Sequence, residues 1–301
     1  KSAFILGPLM MVTEVLGEIL LPKFMSMIIN HGVAQKDGGY ILKMGLVMAI
    51  TSFLMAAGGI LGAYFAAKAS ISFTSDLRRD LFARVQQFSF KNIDHFSTSG
   101  LVTRMTTDIT NVQMAYMMSI RLLARAPFMI ILSWIMTLLL NKTISLLFLI
   151  VIPLLGGTLI YIAKKAHPHF IKVFDEYDVL NNSVQENVNA SRVVKAFVRE
   201  DYEIDKFHDI SKYVYNLFTK AEKIVAWNSP VMQFTMYSVV LIMVLIGGKS
   251  IIAGSMETGE LTSVIVYALQ IIGSLMMVTF VFVMIMIAEA SSDRITEVMN
   301  E

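Results

Sequence analysis

Residues 41–67 read ILKMGLVMAITSFLMAAGGILGAYFAA, and residues 68–91 continue KASISFTSDLRRDLFARVQQFSFK. The first part is an apolar run. About 20 such residues in a helix cross a hydrocarbon layer about 30 Å thick. The second part is charged, yet Phe73, Leu77, Leu81, Val85 and Phe88 recur in it at spacings of three or four. That is the buried stripe of an amphipathic helix. Read as one helix, Ile41 to Lys91 is about 75 Å long at 1.5 Å per residue. Roughly 40 Å of it then projects beyond the hydrocarbon core.

The same alternation runs along the whole chain. Six runs are apolar enough to cross a bilayer: Ala3–Ile29, Ile41–Ala67, Ala126–Leu140 with an extension back to Ser119, Thr143–Ala163, Val231–Ile252 and Leu261–Ala288. Two long amphipathic stretches, Lys68–Arg125 and Lys164–Lys223, carry 18 of the 25 Lys and Arg. In the second, Phe207, Ile210, Val214, Leu217, Ala221 and Ile224 repeat the helical spacing. The connections Asn30–Tyr40, Asn141–Lys142 and Ala253–Glu260 are short and, with Lys249 at one margin, hold few basic residues. The positive-inside bias then places both termini and both long stretches in the cytoplasm. The expected fold is an all-α membrane protein of six spans, with helical extensions over about 68–118 and 164–228. Spans joined by such long rods suit a membrane domain moved by something in the cytoplasm.

Composition agrees. The chain is 55% apolar and 16% charged, against about 25% charged in a soluble domain. Net charge is +2, and the basic residues are not clustered with base-stacking aromatics, which gives nucleic-acid binding no support. The absence of cysteine excludes disulfides and Cys-ligated metal centres. The chain opens at Lys1 rather than Met and shows no small-residue cleavage site, so an N-terminal trimming is expected. In the first stretch the cluster Asp94–Gly100 marks a turn, with Ser99 or Thr98 capping the returning helix. In the second, the turn is placed within Phe197–Glu203 by symmetry, because no Gly or Pro marks it.

Several segments together resemble the transmembrane half of an ABC exporter. Asp76-Leu77-Arg78-Arg79-Asp80-Leu81-Phe82 is similar to the family's long second helix. Phe96 followed by Ser99-Gly100-Leu101-Val102-Thr103-Arg104-Met105-Thr106-Thr107-Asp108 matches its small-Gly-Leu-x-x-Arg-x-x-x-Asp signature. Glu186 to Phe207 resembles its second cytoplasmic turn, and Thr258-Gly259-Glu260-Leu261-Thr262-Ser263 the entry to its sixth helix. Arg121-Leu122-Leu123-Ala124-Arg125-Ala126-Pro127 is similar to bacterial multidrug exporters that often form heterodimers.

The resemblance implies a domain-swapped dimer, as homodimer or heterodimer, in a bacterial plasma membrane. It implies export of amphiphilic solutes, drugs, lipids or peptides through a pathway shared by the two halves. Short coupling helices would rest on nucleotide-binding domains. Phe96, Ser97, Thr98, Ser99 and Gly100 would touch the chain's own domain. Val198, Arg199, Glu200, Asp201 and Tyr202 would touch the partner's, with Phe197 or Tyr202 as an aromatic anchor. ATP and Mg are expected on a nucleotide-binding domain following Glu301, and no cofactor within residues 1–301. Gly247-Gly248-Lys249-Ser250 supplies only the tail of a phosphate-binding loop, and Met243 stands where its first glycine belongs. Residues 1–301 alone are therefore not expected to hydrolyse ATP. The rival readings are a secondary transporter or channel and a regulatory membrane domain. The first predicts flux through the isolated chain, the second partner binding without flux.

Individual residues add detail. Glu14 and Glu18 lie one helical turn apart, about 15 and 21 Å into the first span, where a carboxylate faces a cavity or a partner. A wet cleft with hydrogen bonds to neighbouring helices is the favoured reading. Attraction of cationic drugs, or protonation linked to gating, is the alternative. Arg121 and Arg125 are read as anchors at the cytoplasmic margin, with a lipid contact or an ion pair as alternatives. The 22 methionines fit an adaptable apolar pocket, with Met129, Trp134, Met276, Met277, Phe280 and Met284 as candidates. His167-Pro168-His169 has too few ligands for a metal site and is read as an irregularity where the fourth helix leaves the membrane. Gly58 and Gly62 have the spacing of a close helix contact. Glu200, Asp201, Glu203 and Asp205, beside Arg199 and Lys206, form a solvated face.

Overall fold

The computed structural model describes the backbone from residue 2 to residue 301, and the side chains other than those of residues 1–3, 174, 175 and 287. Among the described residues the chain forms ten α-helices and no strand. Six helical stretches are long and apolar enough to span a membrane, and the chain is a multi-pass membrane protein. Helices are the solution that hydrocarbon imposes, since each backbone N–H and C=O must find its partner within the segment.

Helix α1 (Ser2–Met27) closes in a π-helical turn, Ile28–Val33. Helix α2 (Gly38–Val85) has 48 residues, a rod of about 70 Å. It starts where the Asp37 carboxylate accepts the Tyr40 N–H at 3.0 Å. It ends at Val85 rather than Lys91, because Ser89 caps a separate short helix, α3 (Phe90–Phe96). The chain turns within the breaker cluster Asp94–Gly100, at Ser97, which separates α3 from α4 (Thr98–Thr103). The chain then stays helical to residue 140 through α5 (Ile109–Met118) and α6 (Ala124–Leu140), joined by π-helical turns at Arg104–Asp108 and Ser119–Leu123. Helix α7 (Lys142–Ala196) runs unbroken through Pro153 and Pro168. His167 and His169 therefore mark no irregularity, and a two-residue spacing turns them to different faces of the helix. Helices α8 (Glu200–Val225), α9 (Asn228–Ile252) and α10 (Thr258–Asn300) complete the chain.

The helices divide into two compact units, residues 1–152 with 238–301, and residues 153–237. In the first unit α1 lies close against α2, and the two glycines flagged by spacing sit at that contact. A Cβ on Gly58 would meet Thr13 Oγ1 at 2.5 Å and the Met10 carbonyl at 3.3 Å. Pro22 organises the other side of α1. Proline has no N–H, so the Glu18 carbonyl one turn earlier loses its helical partner. Gln270 Nε2 of α10 donates to that carbonyl at 3.1 Å. The Tyr267 hydroxyl donates to the Ile19 carbonyl at 3.0 Å, and the Ser263 hydroxyl to the Pro22 carbonyl at 2.6 Å. Gln270 thus replaces the donor that the proline removes, and Tyr267 and Ser263 add bonds to two neighbouring carbonyls of α1, beside an apolar cluster of Val15, Ile19, Met129 and Tyr267.

The second unit is an antiparallel helical arm. Phe170 and Phe218 meet edge-to-face at 6.2 Å, Asn187 Nδ2 donates to Glu203 Oε2 at 2.9 Å, and Lys206 Nζ lies 3.1 Å from Glu186 Oε2. Leu159, Ala166 and Val173 form a buried stripe on α7, while Val179, Val184 and Val188 beyond it are exposed.

Replacing Gln270 by Leu orphans the Glu18 carbonyl, and the expected loss is about 1 kcal/mol. In a Pro22→Ala background the restored N–H takes the carbonyl, so the same replacement becomes nearly neutral. A double-mutant cycle on thermal unfolding in micelles measures the difference. Equal losses in both backgrounds would refute the pairing.

Candidate functional site

The turn between α2 and α4 is built by two serines. Ser89 Oγ accepts the Asn92 N–H at 3.3 Å and starts α3. Ser97, at φ 57°, accepts the Gly100 N–H at 3.1 Å and starts α4. The cap of the returning helix is therefore Ser97, and not Thr98 or Ser99. Phe96 is buried among Leu81, Leu101, Ile109, Ile295 and Val298, stacked on Phe88 at 5.6 Å, with the Arg104 guanidinium 4.6 Å above its ring. A ring so enclosed holds the turn in place and offers no surface for docking. The exposed side of α3 is formed by Phe90, 88% exposed, with Lys91, Asp94 and His95. Ser97, Thr98 and Ser99 are exposed beside it, and Gly100 is half-buried.

The far end of α10 is clamped to this turn. Asp108 has no exposed side-chain surface, and Arg294 grips its carboxylate with two hydrogen bonds, Nε to Oδ2 at 2.9 Å and Nη2 to Oδ1. Ser291 Oγ accepts from Asn111 Nδ2 at 3.0 Å and from Arg294 Nη2 at 3.3 Å. Arg104 Nη2 pairs with Glu297 Oε2 at 2.6 Å, and Asn92 Nδ2 donates to Glu301 Oε1 at 2.8 Å. Ser291, Arg294, Glu297 and Val298 share one face of α10 by their spacing of three and four. Burial disfavours the ionised Asp108. The hydrogen bonds of Arg294 and Ser291, with the charges of Arg294 and Arg104, outweigh it, so the carboxyl sits below its ordinary value.

The turn between α7 and α8 is closed by backbone bonds: Phe197 N–H to the Val193 carbonyl and Arg199 N–H to the Val194 carbonyl, both at 3.0 Å. This is a left-handed helix stop, carried by Val198 at φ 52°. A β-branched residue there costs on the order of 1–2 kcal/mol, and with Val198 in that position no glycine signals the turn. Phe197, Val198 and Tyr202 are exposed at its tip, and the Arg199 guanidinium lies 5.9 Å from the Tyr202 ring centre. Glu200 and Asp201 occupy the first turn of α8, where carboxylates complement the helix dipole.

The intramembrane carboxylates meet a cation. Arg125 Nη1 lies 3.1 Å from Glu14 Oε1 and its Nη2 lies 2.5 Å from Glu18 Oε2, with all three side chains less than one-third exposed. Arg125 is about 22 Å along α6 from Leu140, inside a 30 Å layer. It is an interhelical partner rather than a marginal anchor. Arg121 Nε is buried without a hydrogen-bond partner among the described residues.

The proposed pocket residues separate. Met129 is buried in the α1–α10 cluster, so it packs the core instead of lining a pathway. Trp134 Nε1 donates to the Ser145 carbonyl at 3.2 Å and is pinned to the next helix. Met276 and Phe280 are exposed and Met284 half-buried on one stripe of α10, with Met277 half-buried beside it. Gly247-Gly248-Lys249-Ser250 lies inside α9. Its N–H groups serve the helix and form no phosphate cradle. Among the described residues no group of three or more His, Cys, Asp or Glu converges on a metal position. Sequence reasoning missed Phe90, Ser291, Arg294 and Glu297. Ser89 directly before Phe90 was a readable cap signal.

Asp108→Asn and Arg294→Gln each remove the clamp, and about 2 kcal/mol is expected, reduced from a fully buried pair because half of Arg294 faces solvent. A depressed folded pKa means stability present above the unfolded value and lost as pH falls through the folded one. The melting difference between wild type and Asp108→Asn should therefore hold steady from about pH 8 to pH 5 and close below about pH 3.9. A gap that closes near neutrality would contradict the assignment. Arg125→Leu leaves two carboxylates unpaired and is expected to cost about 3 kcal/mol. Adding Glu14→Gln and Glu18→Gln should restore most of it, read by thermal unfolding in micelles.

Residues 4–275 match the family model described as ABC transporter transmembrane region. An uncharacterized ABC transporter ATP-binding protein, YfiB of Bacillus subtilis, is 33% identical over 292 residues, 97% of this chain and 51% of that protein. The ATP-dependent lipid A-core flippase of Desulfotalea psychrophila is 28% identical over 188 residues, 62% of this chain and 33% of its own. ABC transporter B family member 1 of Dictyostelium discoideum is 25% identical over 228 residues, 76% of this chain and 25% of its own. The chain spans about half the length of its bacterial relatives in Bacillus and Mycobacterium. With its six long apolar helices and a match that covers most of its length, the chain belongs to the family of ABC transporter transmembrane regions.

Proposed function

We propose that this chain is the membrane half of an ATP-driven exporter of amphiphilic solutes or lipids, with both termini and both turns in the cytoplasm of a bacterium. One observation carries the reading. Helices far longer than a bilayer end in two turns with exposed aromatic tips, Phe90 on α3 and Phe197 with Tyr202 beside α8. Nucleotide-binding domains would receive these tips and bring ATP and Mg. The clamp from α10 to the first turn would make those parts respond together. A bound ligand needs about 5.5 kcal/mol of differential affinity to swing a two-state element almost completely, and nucleotide closure would supply it.

A second transmembrane half, as homodimer or heterodimer, is part of this reading. The arm formed by residues 153–237 exposes Val184, Val188, Ile204 and Tyr215. Val184 and Val188 lie more than about 60 Å along α7 from Lys142, far outside any bilayer, so a protein surface is the expected cover. The Met276, Phe280 and Met284 stripe on α10 supports an apolar, adaptable pathway. The flippase relative is named for moving a lipid, which fits the same substrate class.

In the full-length protein reconstituted in vesicles, Tyr202→Ala and Phe90→Ser should each lower transport per ATP hydrolysed by several-fold while hydrolysis persists. Unchanged stoichiometry would remove these residues from coupling. Substrate flux without nucleotide would overturn the exporter reading in favour of a channel.

A further inference from the structure

Where α8 ends and α9 begins, the arm of residues 153–237 holds a cavity of about 280 Å3 lined by Tyr161, Ile162, Lys165, Lys223, Ile224 and Trp227. Two independent rulers place it at a membrane margin. Lys165 lies about 35 Å along α7 from Lys142, and Asn228 about 32 Å along α9 from Lys249, at 1.5 Å per residue. Each distance slightly exceeds the 30 Å of a hydrocarbon core. Both therefore bring the cavity to the headgroup level, on the side where the arm leaves the membrane.

The lining has two chemistries. Ile162 and Ile224 are half-buried and apolar, while Tyr161 and Trp227 are largely exposed, and such rings settle among lipid headgroups. Lys165 Nζ stands 5.7 Å from the Tyr161 ring centre. Among the described residues neither Lys165 nor Lys223 has an ion-pair partner. Two unneutralised ammonium groups over an apolar floor complement a phosphate attached to an acyl chain. A soluble phosphate would use the lysines and leave the isoleucines and Trp227 without a role.

We infer that this cavity is a binding site for the phosphate headgroup of an anionic phospholipid. The two lysines meet the phosphate, and Ile162, Ile224 and Trp227 lie against the glycerol end of the acyl chains. Occupancy would hold the α7–α8–α9 arm at a fixed depth in the membrane. This assignment does not depend on the exporter reading.

Trp227 is its own reporter. The full-length protein is placed in nanodiscs containing phosphatidylglycerol or phosphatidylcholine brominated on the acyl chains. The Trp227 signal is obtained by subtracting a Trp227→Phe variant. Brominated phosphatidylglycerol should half-quench Trp227 at a mole fraction about thirtyfold lower than brominated phosphatidylcholine, as expected when the two lysines contribute about 1 kcal/mol each. Lys165→Gln with Lys223→Gln should abolish the preference, and Lys165→Arg with Lys223→Arg should keep it. Equal quenching by the two lipids overturns the site, as does a preference that survives the glutamines. Absence of quenching by both would mean that protein covers this face, and also overturns it. Displacement of the brominated lipid by millimolar inorganic phosphate would make it a soluble-anion site instead.

Discussion

The Asp108–Arg294 pair sets the geometry on which the rest of the first turn depends. A carboxylate with no exposed surface is stable only when its charge is met. Here the partner comes from a helix 186 positions further along the chain. The bidentate grip fixes both the axial position and the rotation of α10. That rotation then presents Glu297 to Arg104 and Ser291 to Asn111. Arg104 is also the cation over Phe96, so one network runs from α10 to the base of α3. The Arg-x-x-x-Asp pattern within the first extension thus has a physical meaning: its two charged residues reach two successive turns of the same helix.

At the opposite end of α10 a different constraint acts. Inside hydrocarbon no water completes an unpaired carbonyl, and Pro22 opens the backbone of α1 there. Gln270 answers it, and Tyr267 and Ser263 donate to the neighbouring carbonyls of Ile19 and Pro22. The same helix is therefore fastened to α1 by polar contacts in the membrane and to the first extension by charged ones beyond it. Between these fastenings it carries the exposed Met276 and Phe280. The triad of Glu14, Glu18 and Arg125 ties α1 to α6 at mid-depth, where neither carboxylate would be stable without a partner. Together these contacts make α10 the member that relates the membrane region to the first turn.

Much of this was legible in the sequence. The apolar runs and their heptad-like continuations are long, and helical periodicity over 50 residues leaves little choice of fold. The glycine pair at Gly58 and Gly62 also declared its role, because a small residue every fourth position admits a neighbouring backbone. The partners across space were not legible. Nothing local in Arg125 distinguishes an anchor at the margin from a ligand for Glu14 and Glu18. Phe96 reads as an exposed aromatic beside polar neighbours, yet Ile295 and Val298 cover it from a helix two hundred residues away. Val198 bears the left-handed turn that a glycine would have announced. Met129 shows the limit of composition as a guide, since a methionine fills a core as readily as it lines a pathway.

The central claim is that α10 and the first turn form one body. Spin labels on Asp94 of α3 and Thr296 of α10, both exposed and outside the clamp, would report it in the full-length protein by double electron–electron resonance. A single distance distribution, unchanged between nucleotide-free and ATP-trapped states, is the predicted result. A shift approaching one helical turn, about 5 Å, between those states would contradict it.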